Sequence, residues 1–357
     1  MIRTLISDLR NSVGETVTIK GWVSVRRDQG KMVFFDIRDR SGIVQGVALP
    51  KSEAIETAKE TRLESVVAIE GKVNERPEKN KNAKVQNGDI ELEILQLTII
   101  SQAEVLPFDM SADGFNLDLT TELDHRALTM RHPRLQAIFK VQAVIIDSFR
   151  EYMKSQDFFE FQAPSIVPAT AEGGAEVFQV DYFDKKAYLS QSPQLYKQIV
   201  MTAFERVFSV NKIFRAEPSA TTRHLTEVVS LDAEMSFIDS WTDVRDMSDA
   251  TVRYILAELK TKCARELEYL GAELPAMIEK TPTISLTEAF EKLGVPADKD
   301  LNPEQERRIC EIIKEETGSD FVYIYGYPTR QRPFYVYPSA ENPEFNEGMD
   351  LLCRGLE

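Results

Sequence analysis

The sequence predicts an α+β protein: a small N-terminal β-barrel, then a larger unit in which an antiparallel sheet is flanked by helices. Three observations predict it. Short alternating strands separated by turn residues fill the first hundred residues. A stretch of little periodicity, Ser101 to Thr121, carries Pro, Gly and scattered polar residues and reads as a hinge. Beyond it, apolar runs at helical spacing alternate with strands around one strand–loop–strand stretch, Ser209 to Ile238. The expected division is 1–104 barrel, 105–130 hinge and 131–357 larger unit.

Composition narrows the class of function. The chain has 357 residues with 43% hydrophobic and 28% charged residues, an ordinary globular balance. A net charge of −15 argues against a general nucleic-acid coat but leaves room for a local basic patch. Cys263, Cys310 and Cys353 lie far apart with no CxxC, so neither a disulfide framework nor a zinc site is expected, and a reducing cytoplasm is the default. The first residues lack a signal-peptide core, and no apolar run approaches the roughly 18 residues of a membrane span.

In the barrel, Thr16–Trp22, Met32–Arg38 and Ile43–Ala48 alternate as strands, the last two joined by the tight turn Asp39-Arg40-Ser41-Gly42. A short helix follows over about Lys51 to Arg62. Ser65–Lys72 and Asp89–Ile100 are two further strands, with the hairpin signal Asn87-Gly88 between them. Five strands with a helix after the third fit an OB-type Greek-key barrel, an architecture that binds single-stranded nucleic acid on aromatics beside a basic groove. Arg26, Arg27 and Lys31 precede Phe34 and Phe35, and Gln45 lies on the next strand. Phe34 and Phe35 must point to opposite faces, so either one is core and the other a stacking platform, or both are packing residues.

In the larger unit, Leu123–Met130 reads as a short helix, and Pro133 suits the first turn of a long one. Leu135, Ile138, Phe139, Ile145, Ile146, Phe149 and Met153 recur at helical spacing, interrupted by Gln142, as a core face or a subunit interface would. Phe158–Gln162 reads as a strand closed by Pro164. Glu172-Gly173-Gly174 puts a carboxylate beside two glycines, a loop able to close on a ligand or a simple turn. Ser192 and Pro193 open a helix as N-cap and first residue. Gln194 and Lys197 share a face of it, as a carboxylate-bearing ligand or a surface pair would use. Trp241–Glu268 is helical by pattern. Ser285 with Glu288 forms a capping box closed by Gly294, and Asn302-Pro303 opens a helix that stops at Gly318. Phe321–Tyr325 and Phe334–Tyr337 read as aromatic strands, and Asn346–Glu357 as a last strand carrying Asp350 and Glu357.

The central stretch carries the chemistry. Arg215 and Glu217 end its first arm, and Arg223 and His224 stand at the base of its loop. Arg forks match phosphate oxygens, and a Glu accepts from an exocyclic amine; a solvated hairpin is the alternative. At FRAEPSATTRHL the sequence resembles motif 2 of the class II aminoacyl-tRNA synthetases. The order of an OB-fold holding GWVSVRRDQGKMVFFDIRDRSGIVQ, a hinge and the later motifs resembles the subgroup charging aspartate, asparagine or lysine, and AEGGAEVF and QSPQLYKQ resemble its aspartyl branch.

The resemblance implies ATP and L-aspartate as substrates, Mg²⁺ as cofactor, and tRNA as acceptor, that for aspartate with the asparagine one left open. It implies that Arg215 holds the α-phosphate and the ligand carboxylate, Ala216 and Glu217 meet the adenine, Arg223 and His224 grip the outer phosphates, and the Leu225 backbone completes the adenine site. Glu172 would lie near the substrate amino group. The run Gln194, Leu195, Tyr196 and Lys197 would read the amino acid, with Asp232 orienting the lysine. Glu357 and Asp350 would hold Mg²⁺. Arg27, Phe34 and Gln45 would contact the anticodon, and the helix from Pro133 with Pro164 would form a homodimer interface. Val228 departs from the family, where a Phe commonly stacks on adenine. The family also continues past Glu357 into motif 3, so the chain as written is expected to be truncated and to adenylate little. Two other readings stay open: an asparagine–tRNA ligase, which the ammonium of Lys197 disfavours, and a non-catalytic tRNA-binding or regulatory paralogue.

Overall fold

The computed structural model of the chain describes residues 3–83, 85–110, 116–169, 177–216 and 225–357, with only the backbone at Gln331. Contacts divide it into two compact units, Met1–Pro133 and Arg134–Glu357.

In the first unit, β1 (Thr16–Asp28), β2 (Val33–Asp39), β3 (Gly42–Ala48), β4 (Val66–Glu75) and β5 (Ile90–Ser101) close a barrel in the order β1-β2-β3-β5-β4, with helix α1 (Ile55–Glu60) after β3. All pairings are antiparallel except β3 with β5. The inward positions of each alternation (Ile19, Val23, Phe35, Ile37, Ile69, Leu92 and Ile94) are wholly buried and form one core. Strand β1 runs six residues beyond the expected Trp22 end. It shifts register between Val23 and Val25, and this bulge lets one strand bend to pair with both β2 and β4. Gly21 lies at that bend, where a Cβ would come 2.4 Å from the Arg38 carbonyl oxygen.

The turn after β2 is built on Asp39, which accepts from the backbone N–H groups of Ile6 and Ser41 and from the Ser41 hydroxyl. Burial alone would raise its pKa, but these hydrogen bonds and Arg3 hold the carboxyl below its ordinary value. Asn87, expected as a hairpin tip, is instead a buried left-handed residue (φ 55°) whose side chain donates to the carbonyls of Ile6 and Ile43. Two short helices, α2 (Leu119–Asp124) and α3 (Arg126–Thr129), complete the unit. Arg38 and Arg131 both pair with the buried carboxylate of Glu64.

The second unit opens on α4 (Pro133–Ser155), with Pro133 at its first position as expected. Then come β6 (Phe159–Glu160), β7 (Ile166–Val167), β8 (Gln179–Tyr182), β9 (Lys185–Leu189), α5 (Gln194–Phe204), β10 (Arg206–Phe214) and β11 (Glu227–Met235). The chain continues with α6 (Trp241–Lys262), α7 (Ala264–Leu270), β12 (Thr283–Ser285), α8 (Leu286–Leu293), α9 (Pro303–Thr317), β13 (Phe321–Tyr325) and β14 (Met349–Cys353). The described strands form three sheets, ordered β11-β10-β6, β12-β13-β14 and β7-β9-β8. Phe149 and Met153 of α4 pack with Phe158 and Phe208, and the Phe149 and Phe208 rings meet edge-on at 5.7 Å. Tyr323 of β13, 1% exposed, donates its hydroxyl to Ser248 of α6 at 3.0 Å and so joins helix to sheet.

The predicted capping box Ser285/Glu288 is formed, the helix start read at Asn302-Pro303 carries a further box with Gln305, and Gly294 and Gly318 end their helices in the left-handed conformation. Four readings need correction. Helix α5 begins at Gln194, one residue late, because the Pro193 carbonyl accepts its first bond; Ser192 Oγ accepts from the Gln194 N–H instead of capping from the expected place. The helix expected over Trp241–Glu268 breaks at Cys263. Phe334–Tyr337 forms no strand: Phe334 is 80% and Tyr337 69% exposed, with Pro333 and Pro338 on either side removing ladder donors. The last strand ends at Cys353, where Arg354 and Gly355 turn the chain with positive φ, so Glu357 lies beyond it.

Candidate active site

The hairpin β10–β11 pairs without a break from Arg206 opposite Met235 to Phe214 opposite Glu227. The Arg215 N–H donates to the Thr226 carbonyl at 3.1 Å, which carries the pairing one step further and sets Arg215, exposed, at the mouth of the loop. Ala216 is half-buried and Leu225 is exposed on the returning arm. Glu217, Arg223 and His224, like Glu172, lie outside the described residues. Val228 sits opposite Ile213.

Lys197 is the organising group. It sits on α5, its side chain 9% exposed, with Nζ 3.2 Å from Asp232 Oδ1 and 3.6 Å from Glu234 Oε2. Asp232 and Glu234 are two apart on β11, so the strand period puts both on the face that α5 covers. Gln194, one turn before Lys197, reaches Glu234 Oε2 at 3.5 Å with its amide nitrogen. Leu195, between them in sequence, is exposed, and Tyr196 is half-buried. An ammonium has three N–H donors; Asp232 accepts one of them and Glu234 faces the charge at ion-pair distance, so donor capacity remains for a ligand. Sequence reasoning missed Glu234. The signal was its place two residues past Asp232 in the alternation from Val228 to Phe237.

A second set lies at the other sheet. Asp350 of β14 pairs with Arg332 and accepts from the Tyr327 hydroxyl. Loss of water, then the charge of Asp350, pushes the Glu357 carboxyl above its ordinary pKa although the residue reaches the surface. Among the described residues no three Asp, Glu, His or Cys side chains gather as a metal cluster. Two carboxylates of this kind nonetheless suit a hard cation that takes its remaining ligands from phosphate and water.

On the barrel, Phe35 is wholly buried while Phe34, on the opposite face, is half-exposed. Arg27 stands opposite Phe34, and its guanidinium lies 3.1 Å from Asp36 Oδ1 and 3.2 Å from Gln45 Oε1. Arg27, Phe34 and Gln45 thus come together on the outer surface of β1, β2 and β3. Asp36 is the member of this group that sequence reasoning missed.

A closed five-stranded barrel followed by a unit built around this hairpin is a two-part arrangement that comparison with known families identifies. The OB-fold nucleic acid binding domain matches residues 17–100, and the family of class II tRNA synthetases (D, K and N) matches residues 118–357. The chain belongs to the class II tRNA synthetases of this D, K and N family, and so to the aminoacyl-tRNA ligases, which use ATP as a substrate. It is 40% identical over 370 residues to the aspartate–tRNA(Asp/Asn) ligase of Deinococcus radiodurans, covering 99% of this chain and 81% of that protein. It is 36% identical to the aspartate–tRNA(Asp) ligase of Pyrococcus horikoshii, covering 96% of this chain and 79% of the other. Among solved structures, the asparaginyl-tRNA synthetase of Pyrococcus horikoshii complexed with asparaginyl-adenylate superposes with a TM-score of 0.88 at 30% identity, covering 99% of this chain and 81% of that one. The aspartyl-tRNA synthetase of Entamoeba histolytica gives 0.86 at 27%, covering 100% and 77%. Among the described residues no helix is long and apolar enough to cross a membrane.

Proposed function

We propose that this protein activates L-aspartate with ATP and transfers the aspartyl group to tRNA. The observation that carries the reading is Lys197, a nearly buried ammonium fixed by Asp232 and Glu234 with donor capacity to spare. A substrate carboxylate uses that donor and charge, whereas the neutral amide of asparagine gains much less from it. Relatives named as aspartate–tRNA(Asp/Asn) ligases support acceptance of both the aspartate and the asparagine tRNA.

In the reaction the α-carboxylate of aspartate attacks the α-phosphorus of ATP in line, and pyrophosphate leaves. The aspartyl group then passes to the terminal ribose of the tRNA. The protein's part is to hold two anions together and neutralise the charge that builds between them. Arg215 takes the α-phosphate and the attacking carboxylate, while Arg223 and His224 take the outer phosphates. Ala216, Glu217 and the Leu225 backbone hold the adenine. Gln194 and Glu172 receive the substrate ammonium, with Leu195 and Tyr196 framing the pocket. Asp350 and Glu357 would hold Mg²⁺, which when bound supplies further charge neutralisation at the phosphates. The cytoplasm, where tRNA is charged, is the compartment that this chemistry and the dispersed cysteines suit.

The test is pyrophosphate exchange and charging of tRNA transcripts, each with aspartate and with asparagine. Whatever exchange and charging the protein supports should depend on aspartate. Exchange driven by asparagine alone would overturn the assignment.

On the barrel, Arg27, Phe34 and Gln45 read the anticodon, with Phe34 as the stacking ring. Replacing Phe34 with Ala should weaken tRNA binding roughly tenfold to a hundredfold, the worth of one base–aromatic stack, and leave tRNA-independent exchange unchanged. An unchanged Kd for tRNA in a filter-binding titration would count against that role.

A homodimer through α4 completes the reading. Ile138 and Phe139 are 44% and 40% exposed on a helix whose neighbouring face is core, leaving apolar surface for a second copy. Sedimentation equilibrium at micromolar concentration should return twice the chain mass; a monomer there would remove the dimer.

A further inference from the structure

We propose that Arg332 is a built-in counter-ion for the carboxylates on and just past β14: it occupies Asp350 in the free protein and gives it up when a divalent cation arrives with nucleotide. The inference rests on the reading that Asp350 and Glu357 take the metal.

The arrangement around Arg332 is specific. Its guanidinium carbon lies 4.0 Å from the centre of the Tyr327 ring, and Tyr327 is 2% exposed. A planar, permanently charged group stacked on an aromatic face is held in one orientation. From there it pairs with Asp350, to which Tyr327 also gives its hydroxyl hydrogen bond. The pair is largely withdrawn from water, the two side chains being 22% and 12% exposed. Asp300 also acts on Arg332, and Asp300, Glu306, Asp350 and Arg332 all act on Glu357. Among the described residues Glu357 makes no ion pair of its own. One carboxylate of the pair is therefore satisfied by a protein cation, and the other is left waiting.

This division has a thermodynamic consequence. A metal ion that uses both carboxylates must take Asp350 from Arg332, so the free protein binds it weakly. Nucleotide phosphates offer the displaced guanidinium a new partner, which makes metal and nucleotide binding reinforce one another. Arg332 is thus a positioning residue with a regulatory consequence: it disfavours metal bound without nucleotide.

The test is a titration of the full chain with Mn²⁺ alone, followed by electron paramagnetic resonance, with and without a non-hydrolysable ATP analogue. Arg332→Gln should bind Mn²⁺ about tenfold more tightly than the parent without nucleotide, the worth of one charge-assisted pair, and should show a smaller gain on adding the analogue. Arg332→Met keeps the stem over Tyr327 and should behave like the Gln variant, so it carries the test should Gln not fold. Lys314→Gln makes the same charge change at Asp320 and should leave Mn²⁺ affinity at the parent value. An unchanged or weaker affinity in both Arg332 variants, or an equal gain in Lys314→Gln, overturns the proposal and leaves the metal reading standing. No Mn²⁺ binding by the parent in either condition would remove the metal reading itself, and this inference with it.

Discussion

Lys197→Met should reduce kcat/KM for aspartate in pyrophosphate exchange by roughly 10²- to 10³-fold, the consequence of breaking a buried ion pair at a ligand site. Two losses combine. The substrate carboxylate loses its cation, and Asp232 and Glu234 are left facing it on β11 with nothing between. A pocket that held one positive charge against two negative ones becomes doubly negative, and it repels the side-chain carboxylate of its own substrate. The loss should fall on the KM for aspartate, with the KM for ATP little changed, because Arg215 and Leu225, proposed for ATP, lie at the mouth of the hairpin loop and Asp350 lies on β14. The same substitution should lower the melting temperature, since stranded buried carboxylates destabilise the fold. Combining it with Asp232→Asn separates the two effects. The double variant should regain most of the stability and none of the aspartate use. Recovery of aspartate use in the double variant would show that Lys197 serves packing and not recognition.

That site illustrates which features a sequence displays. Gln194 and Lys197 could be singled out because a spacing of three places them on one helix face, while Asp232 was named by the family resemblance alone. The contact of Glu234 with Lys197 could not, because it depends on α5 lying over β11, some forty residues away, and no local rule supplies that. Glu64 is a similar case: its partners Arg38 and Arg131 are distant in sequence, and nothing near Glu64 marks it. Features that local rules govern came through. The capping box at Ser285 and the helix start at Asn302-Pro303 need only residues within one helical turn, and Phe34 and Phe35 had to part because successive strand residues face opposite ways. Phe334–Tyr337 shows the limit of propensity. Aromatic residues suit a pleated, half-buried surface, but a strand also needs a neighbour, and flanking prolines leave this run exposed. Glu357 was assigned to a strand that Arg354 and Gly355 end, and Gly355 was the local sign of that turn.

Asp320→Asn should destabilise the second unit by about 2 kcal/mol at neutral pH, measured by urea unfolding. Asp320 immediately precedes β13, and its side chain is 2% exposed. Lys314 Nζ lies 2.6 Å from one carboxylate oxygen; Arg354 at 3.0 Å and the Ala276 N–H at 2.8 Å reach the other. Burial alone would raise its pKa, but the hydrogen bonds from Arg354, Lys314 and Ala276 outweigh that and hold it down at about 2, from an ordinary 3.8. Because Lys314 and Arg354 are themselves 55% and 43% exposed, water screens part of the attraction, and the estimate stays at about 2 kcal/mol, not the larger loss of a fully buried triad. The sign follows from the direction of the shift. A carboxyl that is more acidic in the folded state stabilises it wherever the unfolded group is already ionised, above about pH 4. That stabilisation is lost as the pH falls from 3.8 towards 2, where both states bind the proton. The gap between parent and Asn variant should therefore be constant near neutrality and close through that acid window, since Asn can still accept from the Ala276 N–H but cannot pair with either cation. A gap that persists unchanged to the bottom of the window would mean that Asp320 contributes through shape and hydrogen bonding, with its charge irrelevant. The joint between α9, β13 and the Arg354 turn would then be held by packing, and the turn that carries Glu357 away from β14 would not need its ion pairs.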